Sequence, residues 1–292
     1  MINGALKGRA KKLVSVTSVS LCRIAFLGLN LYREGKKSVS DQPEAGAAIE
    51  IVYQPLDGLW AGSRAPLQLR ADEVHVWSAA LDGELPAESE LERLLAPDER
   101  ARAERFTSTG VRHRFVAARG LLRLILARYL KRDAAQLSFA YGIQGKPVLA
   151  GDLAGEGLQF NLSHSGNQAL YAVALRRAVG IDIEQLRPDR DHEKLARRFF
   201  SPGEVAAMES LPPELRIQAF YRCWTRKEAY LKGCGAGLSL PLDSFDVAVL
   251  PDAAPALLAQ RTTPEEVSRW RMFEIAAPAG YCAALAVAAG AS

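Results

Sequence analysis

From residue 179 to residue 184 the chain reads Val-Gly-Ile-Asp-Ile-Glu, apolar and acidic positions alternating after the glycine. A period of two is the period of a strand, so Asp182 and Glu184 project from one face, about 6.6 Å apart along it. About forty residues further on, Trp224, Glu228 and Lys232 recur at i, i+4 and i+8. That spacing stacks side chains on one face of a helix. Residues 74–78 alternate as an earlier strand. Pro97-Asp98-Glu99 opens a charged helix towards Phe106, and residues 111–129 form a second, with Phe115, Leu122, Ile125 and Leu126 on its apolar stripe. Residues 158–162 and 170–175 read as strands joined through Ser165-Gly166-Asn167, a turn-forming triplet. Residues 245–250, 271–276 and 282–287 supply three C-terminal strands. Residues 38–72 mix Pro, Gly, Ala and acidic residues without a sustained period and read as linker.

The pattern restarts after residue 185. Pro202-Gly203-Glu204 opens a helix as Pro97-Asp98-Glu99 does, and Phe220 follows Pro202 by the same interval that separates Phe115 from Pro97. At this offset Phe106 matches Leu211, and residues 119–124 match residues 224–229. The expectation is an internal duplication of one α/β unit, an α+β fold with two similar halves. Residues 71–180 make the first half and 181–292 the second, preceded by an extension over 1–70.

A chain of 292 residues, 49% of them hydrophobic, can bury a sizeable core. Cys22, Cys223, Cys234 and Cys282 lie far apart, which argues against a zinc module or a disulfide framework and suits a reducing cytoplasm. Cys223 reads as a small buried apolar residue. Eight basic residues against Glu34 give residues 1–40 a charge of +7; the net charge is +4, so the remainder carries −3. The body is therefore not a nucleic-acid-binding surface by bulk charge. Residues 13–31 are apolar but interrupted by Ser, Thr and Arg23, too broken for a membrane helix. A non-catalytic extension is the preferred reading of this stretch, with an organelle-targeting segment as the alternative. No stable membrane association is expected.

Two carboxylates on a strand face can hold a hard divalent cation. A third carboxylate and an ammonium, from the helix carrying Glu228 and Lys232, would complete a site for Mg²⁺ and a pyrophosphate. These residues resemble the signature of the 4′-phosphopantetheinyl transferases of the surfactin-synthetase-activator type, (V/I)G(I/V)D(I/V)E followed by an aromatic residue and a KEAxxK-like helix. The resemblance covers roughly residues 97–246. It implies two α+β halves about a pseudo-two-fold axis, and transfer of 4′-phosphopantetheine from coenzyme A to a serine of an apo acyl or peptidyl carrier protein. It further implies Mg²⁺ on Asp182, Glu184 and Glu228, Lys232 at the leaving phosphate, and Glu228 or a water it holds as the base. By the same resemblance Gly145-Lys146-Pro147 lies against the adenine and nucleotide phosphates, and Ser163 and His164 bind the pyrophosphate. Arg102 and His113 fall in the region that contacts the 3′-phosphate. Lys194, Arg197 and Arg198, on a basic and apolar strip, become a docking surface for an acidic carrier. The whole implies a cytoplasmic monomer. Two other classes stay open on the sequence: a non-catalytic nucleotide- or carrier-binding module, and a Mg²⁺-dependent nucleotide phosphohydrolase.

Overall fold

The computed structural model describes residues 48–54, 56, 59, 67–142 and 144–290. Expectations for the first forty-odd residues, including the broken apolar stretch and Cys22, lie outside the described residues. The chain begins with β1 (Glu50–Gln54) and β2 (Glu73–Ala80), followed by α1 (Glu88–Leu94), α2 (Pro97–Glu104) and α3 (Thr109–Leu130). A hairpin of β3 (Phe139–Tyr141) and β4 (Pro147–Leu149) leads to β5 (Leu158–Ser165) and β6 (Gln168–Leu175). Then come β7 (Val179–Gln185), α4 (His192–Phe199), α5 (Pro202–Glu209) and α6 (Pro213–Cys234). β8 (Phe245–Val247), β9 (Leu257–Gln260), α7 (Glu266–Arg269), β10 (Trp270–Glu274) and β11 (Tyr281–Ala288) complete it.

Two sheets carry the architecture, one in the order β1-β2-β6-β5 and one in the order β10-β11-β7. Their strands pair antiparallel except for β1, which runs parallel to β2. β1 lies within the stretch expected as extension and linker. Its Ile51 is buried between the sheets and Tyr53 Oη accepts the Ala276 amide, so tertiary contacts order five residues too few to show a period.

Apolar side chains gather in three places. Alternate residues of β2 and β6 (Trp77, Ala79, Tyr171, Val173) face α3, and those of β10 and β11 (Trp270, Met272, Ala284, Ala286) face α6. The opposite faces of both sheets (Val74, Val76, Leu170, Ala172, Ile181, Ile183, Leu285) pack on each other. Strands buried on both faces read as continuous apolar runs, which is why Ala169–Ala174 shows little alternation.

The duplication is visible in the buried charges. Glu99 and Glu204 each sit at the third position of a short helix begun by proline, and each carboxylate accepts the amide that precedes its own helix. Both are buried. Both are neutralised by cations of the following 22-residue helix: Glu99 by Arg119 and Arg123, Glu204 by Lys227 at 2.8 Å. Lys227 also donates to the carbonyls of Leu242 and Phe245, so it is a core residue turned away from its neighbour Glu228. Replacing Lys227 by Met strands a buried carboxylate and should destabilise the fold by about 3–5 kcal/mol. Urea denaturation reads this directly, and a loss within error of zero would remove the structural role.

Candidate active site

β5 and β7 are the facing edges of the two sheets, and side chains bridge where backbone pairing does not. Asn161 Oδ1 accepts the Ile181 amide at 2.9 Å, and Ser165 Oγ accepts the Gln185 amide at 3.1 Å. Asn161, Ser163 and Ser165 alternate along β5 and so present one polar edge to β7. The Asn-Leu-Ser-His-Ser run is thus first a seam between the sheets.

Asp182 is 2% exposed. Its Oδ1 accepts from Ser163 Oγ at 2.8 Å and from the Lys232 ammonium at 2.6 Å, while its buried Oδ2 has no hydrogen-bond partner. Glu184 Oε2 accepts from Ser165 Oγ at 2.7 Å. Glu228 reaches the same place from α6. Burial, and then the Asp182 charge, pushes the carboxyls of Glu184 and Glu228 up to about 7 each. Burial works against the Lys232 ammonium, but Asp182, Glu228 and Glu184 outweigh it and raise its pKa. Among the described residues no three acidic, His or Cys side chains stand as a ready-made metal cage. Lys232 lies on Asp182 where a cation's share of that carboxylate would be. The donor set nevertheless fits a hard cation: an orphaned buried carboxylate oxygen, two neighbouring carboxyls that resist ionisation, and oxygen donors throughout.

His164 lies beside this cluster. Burial drops its imidazole to about 4, assisted by the charges of Lys232, Arg114 and Arg102, so it is neutral at pH 7. Cations from α2, α3 and α6 therefore converge on one neutral ring, a setting that favours an anion. Arg102 keeps its guanidinium over the Phe115 ring at 5.5 Å. His113 instead bonds Glu88 Oε2 at 2.8 Å and the Leu81 carbonyl at 3.2 Å. Its chain neighbour Arg114 is one of the three cations, with Lys232 and Arg102, whose charge acts on His164. Sequence reasoning passed over Arg114, because a step of one residue on a helix decides which side chain faces the cleft.

Lys146 does not stand open to the cleft: its ammonium donates to the carbonyls of Val179, Lys232 and Gly233. Gly145, at φ 78°, makes the turn before it, and Pro147 begins β4. On α4, Arg197 is held by Glu193 and Glu209, while Arg198 lies over the Phe199 ring and Lys194 is exposed. Trp224 stacks on Phe220, with Phe199 and Phe200 beside it, and so anchors α4 to α6. Cys223 is fully buried and its thiol is pushed well above the ordinary range, so it is no nucleophile.

Residues 178–286 match the family model of the 4′-phosphopantetheinyl transferase superfamily, and residues 86–176 match that of the 4′-phosphopantetheinyl transferase N-terminal region. The 4′-phosphopantetheinyl transferase HetI of Nostoc is 43% identical over 233 residues, which is 80% of this chain and 95% of that protein. The transferase Sfp of Bacillus subtilis is 34% identical over 158 residues, 54% of this chain and 68% of that protein. A putative 4′-phosphopantetheinyl transferase of Synechocystis is 39% identical over 179 residues, 61% of this chain and 71% of that protein. The two family matches meet near β7, the strand that brings Asp182 and Glu184 beneath α6, and with the near-complete coverage of the Nostoc enzyme they establish that the chain belongs to the 4′-phosphopantetheinyl transferase superfamily.

Proposed function

We propose that the protein transfers the 4′-phosphopantetheine arm of coenzyme A to a serine of an acyl or peptidyl carrier protein. The observation that carries this reading is the partnerless Asp182 Oδ2, next to two carboxyls raised to about 7 and beside the cation cluster around His164. The serine oxygen forms a bond to the β-phosphorus while the bond to the bridging oxygen breaks, and 3′,5′-ADP leaves. Asp182, Glu184 and Glu228 would hold Mg²⁺, which offsets negative charge on the pyrophosphate when bound. Lys232, resting between Ser163 and Asp182, is the ammonium at hand for the leaving phosphate. Arg102, Arg114 and His164 hold the nucleotide phosphates. Glu228, directly or through a water it holds, would take the serine proton. The reading includes a monomer working in the cytoplasm; among the described residues no helix is long and apolar enough to cross a membrane.

Incubation with coenzyme A, Mg²⁺ and an apo carrier protein tests it by intact mass. A carrier heavier by one phosphopantetheine is the expected result. An unmodified carrier with intact coenzyme A favours a binding module, and cleaved coenzyme A without carrier modification favours a phosphohydrolase.

The raised carboxyls give a pH dependence. Cation binding needs Glu184 and Glu228 deprotonated, so affinity for Mg²⁺ should fall below pH 7, about tenfold per unit for each proton displaced. Without cation the sign for stability is opposite to that of a salt-bridged acid. These groups bind protons more tightly folded than at their ordinary value of 4.5, so the apo fold gains stability as pH falls from 7 towards 4.5. Calorimetric titrations at pH 6 and pH 8 with equal Mg²⁺ affinity would contradict the assignment.

Carrier docking belongs on α4. Glu193 and Glu209 answer the charge of Arg197, which leaves Lys194 and Arg198 as the more available cations. Reversing both to Glu should raise the carrier KM and flatten its salt dependence, with coenzyme A affinity unchanged. A fall in coenzyme A affinity at constant carrier KM would place this helix on the nucleotide.

A further inference from the structure

The β3–β4 hairpin spans the two halves of the site. On one side Arg119 donates from Nη2 to Tyr141 Oη and from Nε to Glu99 on α2, and its guanidinium lies 5.7 Å from the ring centres of both Phe139 and Tyr141. The hairpin is thereby tied to α2 and α3, which bear Arg102 and Arg114. On the other side Lys146 Nζ reaches the carbonyls of Lys232 at 2.7 Å, Val179 at 3.0 Å and Gly233 at 3.3 Å. Next to it Gln144 packs on Gly237, where a Cβ would stand 2.5 Å from Gln144 Cγ and 2.7 Å from its Cβ.

The carbonyls of Lys232 and Gly233 belong to the last turn of α6, which lacks intrahelical partners. Three carbonyls use all three donors of one ammonium. A cation there also meets the negative end of the helix dipole. Lys146 is thus a helix cap delivered from the opposite half, and it grips the backbone of the residue whose side chain lies on Asp182.

We propose that Lys146 is a positioning residue: it clamps the end of α6 to the first residue of β7 and so fixes the Lys232 ammonium against Asp182. This rests on the transferase reading above, and it departs from a direct phosphate contact for Lys146. The two roles separate kinetically. A phosphate ligand lost raises the coenzyme A KM; a positioning clamp lost lowers kcat.

Lys146→Met should lower kcat on the order of 10- to 100-fold and change the coenzyme A KM by no more than about threefold. Lys146→Arg should recover part of the rate. Hydrogen exchange at the amides of residues 231–234 should quicken in Lys146→Met, a readout that needs no activity. Gly237→Ala keeps Lys146 but strains its own left-handed backbone at φ 51° and crowds Gln144 at the hairpin tip. It should shift kcat and exchange in the same direction, and it carries the test should Lys146→Met not fold. A raised coenzyme A KM at wild-type kcat would overturn the proposal in favour of a phosphate contact. A lower melting temperature with wild-type kcat would reduce Lys146 to a structural residue. If the wild-type protein modifies no carrier, the transferase reading fails by itself; unchanged exchange at the end of α6 in Lys146→Met would sink the clamp independently.

Discussion

Asp182→Asn should leave the protein folded and lower transfer on the order of 10²- to 10³-fold at saturating Mg²⁺. The substitution keeps the volume of the side chain and an oxygen able to accept from Ser163, so the seam between β5 and β7 survives. It removes the charge that both pairs with Lys232 and opposes ionisation of Glu184 and Glu228. Three consequences should therefore appear together. Cation affinity falls because a charged ligand is gone. The titration of the two glutamates moves down towards ordinary carboxyl values, because the Asp182 repulsion is absent. The stability of the apo protein changes little, since a lost ion pair is set against relief of like-charge repulsion. Turnover near wild type in Asp182→Asn would sink the cation assignment.

How much of this could be seen in the sequence follows from the range of each interaction. β7 and α6 were legible because a strand buried against a helix imposes its period on neighbouring residues, and Asp182, Glu184, Glu228 and Lys232 stand at those periods. The duplication was legible through its proline starts and aromatic spacing, and the buried Glu99 and Glu204 clusters give it a physical core. β1, α1 and the β3–β4 hairpin are too short to carry a period, and distant contacts order them. The partners of polar side chains were the least legible. Nothing local distinguishes a lysine bound for a phosphate from one that caps a helix end 86 residues away, as Lys146 does. Nor does the sequence say that His113 turns to Glu88 while the charge of Arg114 acts on His164, or that Glu193 and Glu209 hold Arg197. These choices depend on which way a helix is rolled in the fold.

Gly180 shows how closely backbone packing and chemistry are joined here, and Gly180→Ala should be as damaging as loss of a charged residue. A Cβ at this position would stand 2.1 Å from the Ala229 carbonyl oxygen and 2.2 Å from the Gly233 amide nitrogen. Both are backbone atoms of a long helix, so no side-chain rotation relieves the clash, and α6 must lift from β7 by roughly 1 Å or more. Two residues along β7 stands Asp182; Glu228 and Lys232 are the chain neighbours of Ala229 and Gly233. The displacement therefore separates the groups that share the site. Overpacking should destabilise the fold by about 1–3 kcal/mol. Misplacement on the scale of 1 Å should lower kcat on the order of 100-fold. Gly233→Ala makes a useful control: its Cβ would meet the Trp270 ring at 2.6 Å, and the nearest β7 atom, the Gly180 nitrogen, lies at 3.4 Å. It should lower stability comparably while retaining more of the rate. Comparing kcat at matched folded fraction separates the two effects, and a Gly180→Ala enzyme with wild-type kcat would show that the strand–helix contact does not set the geometry of the site.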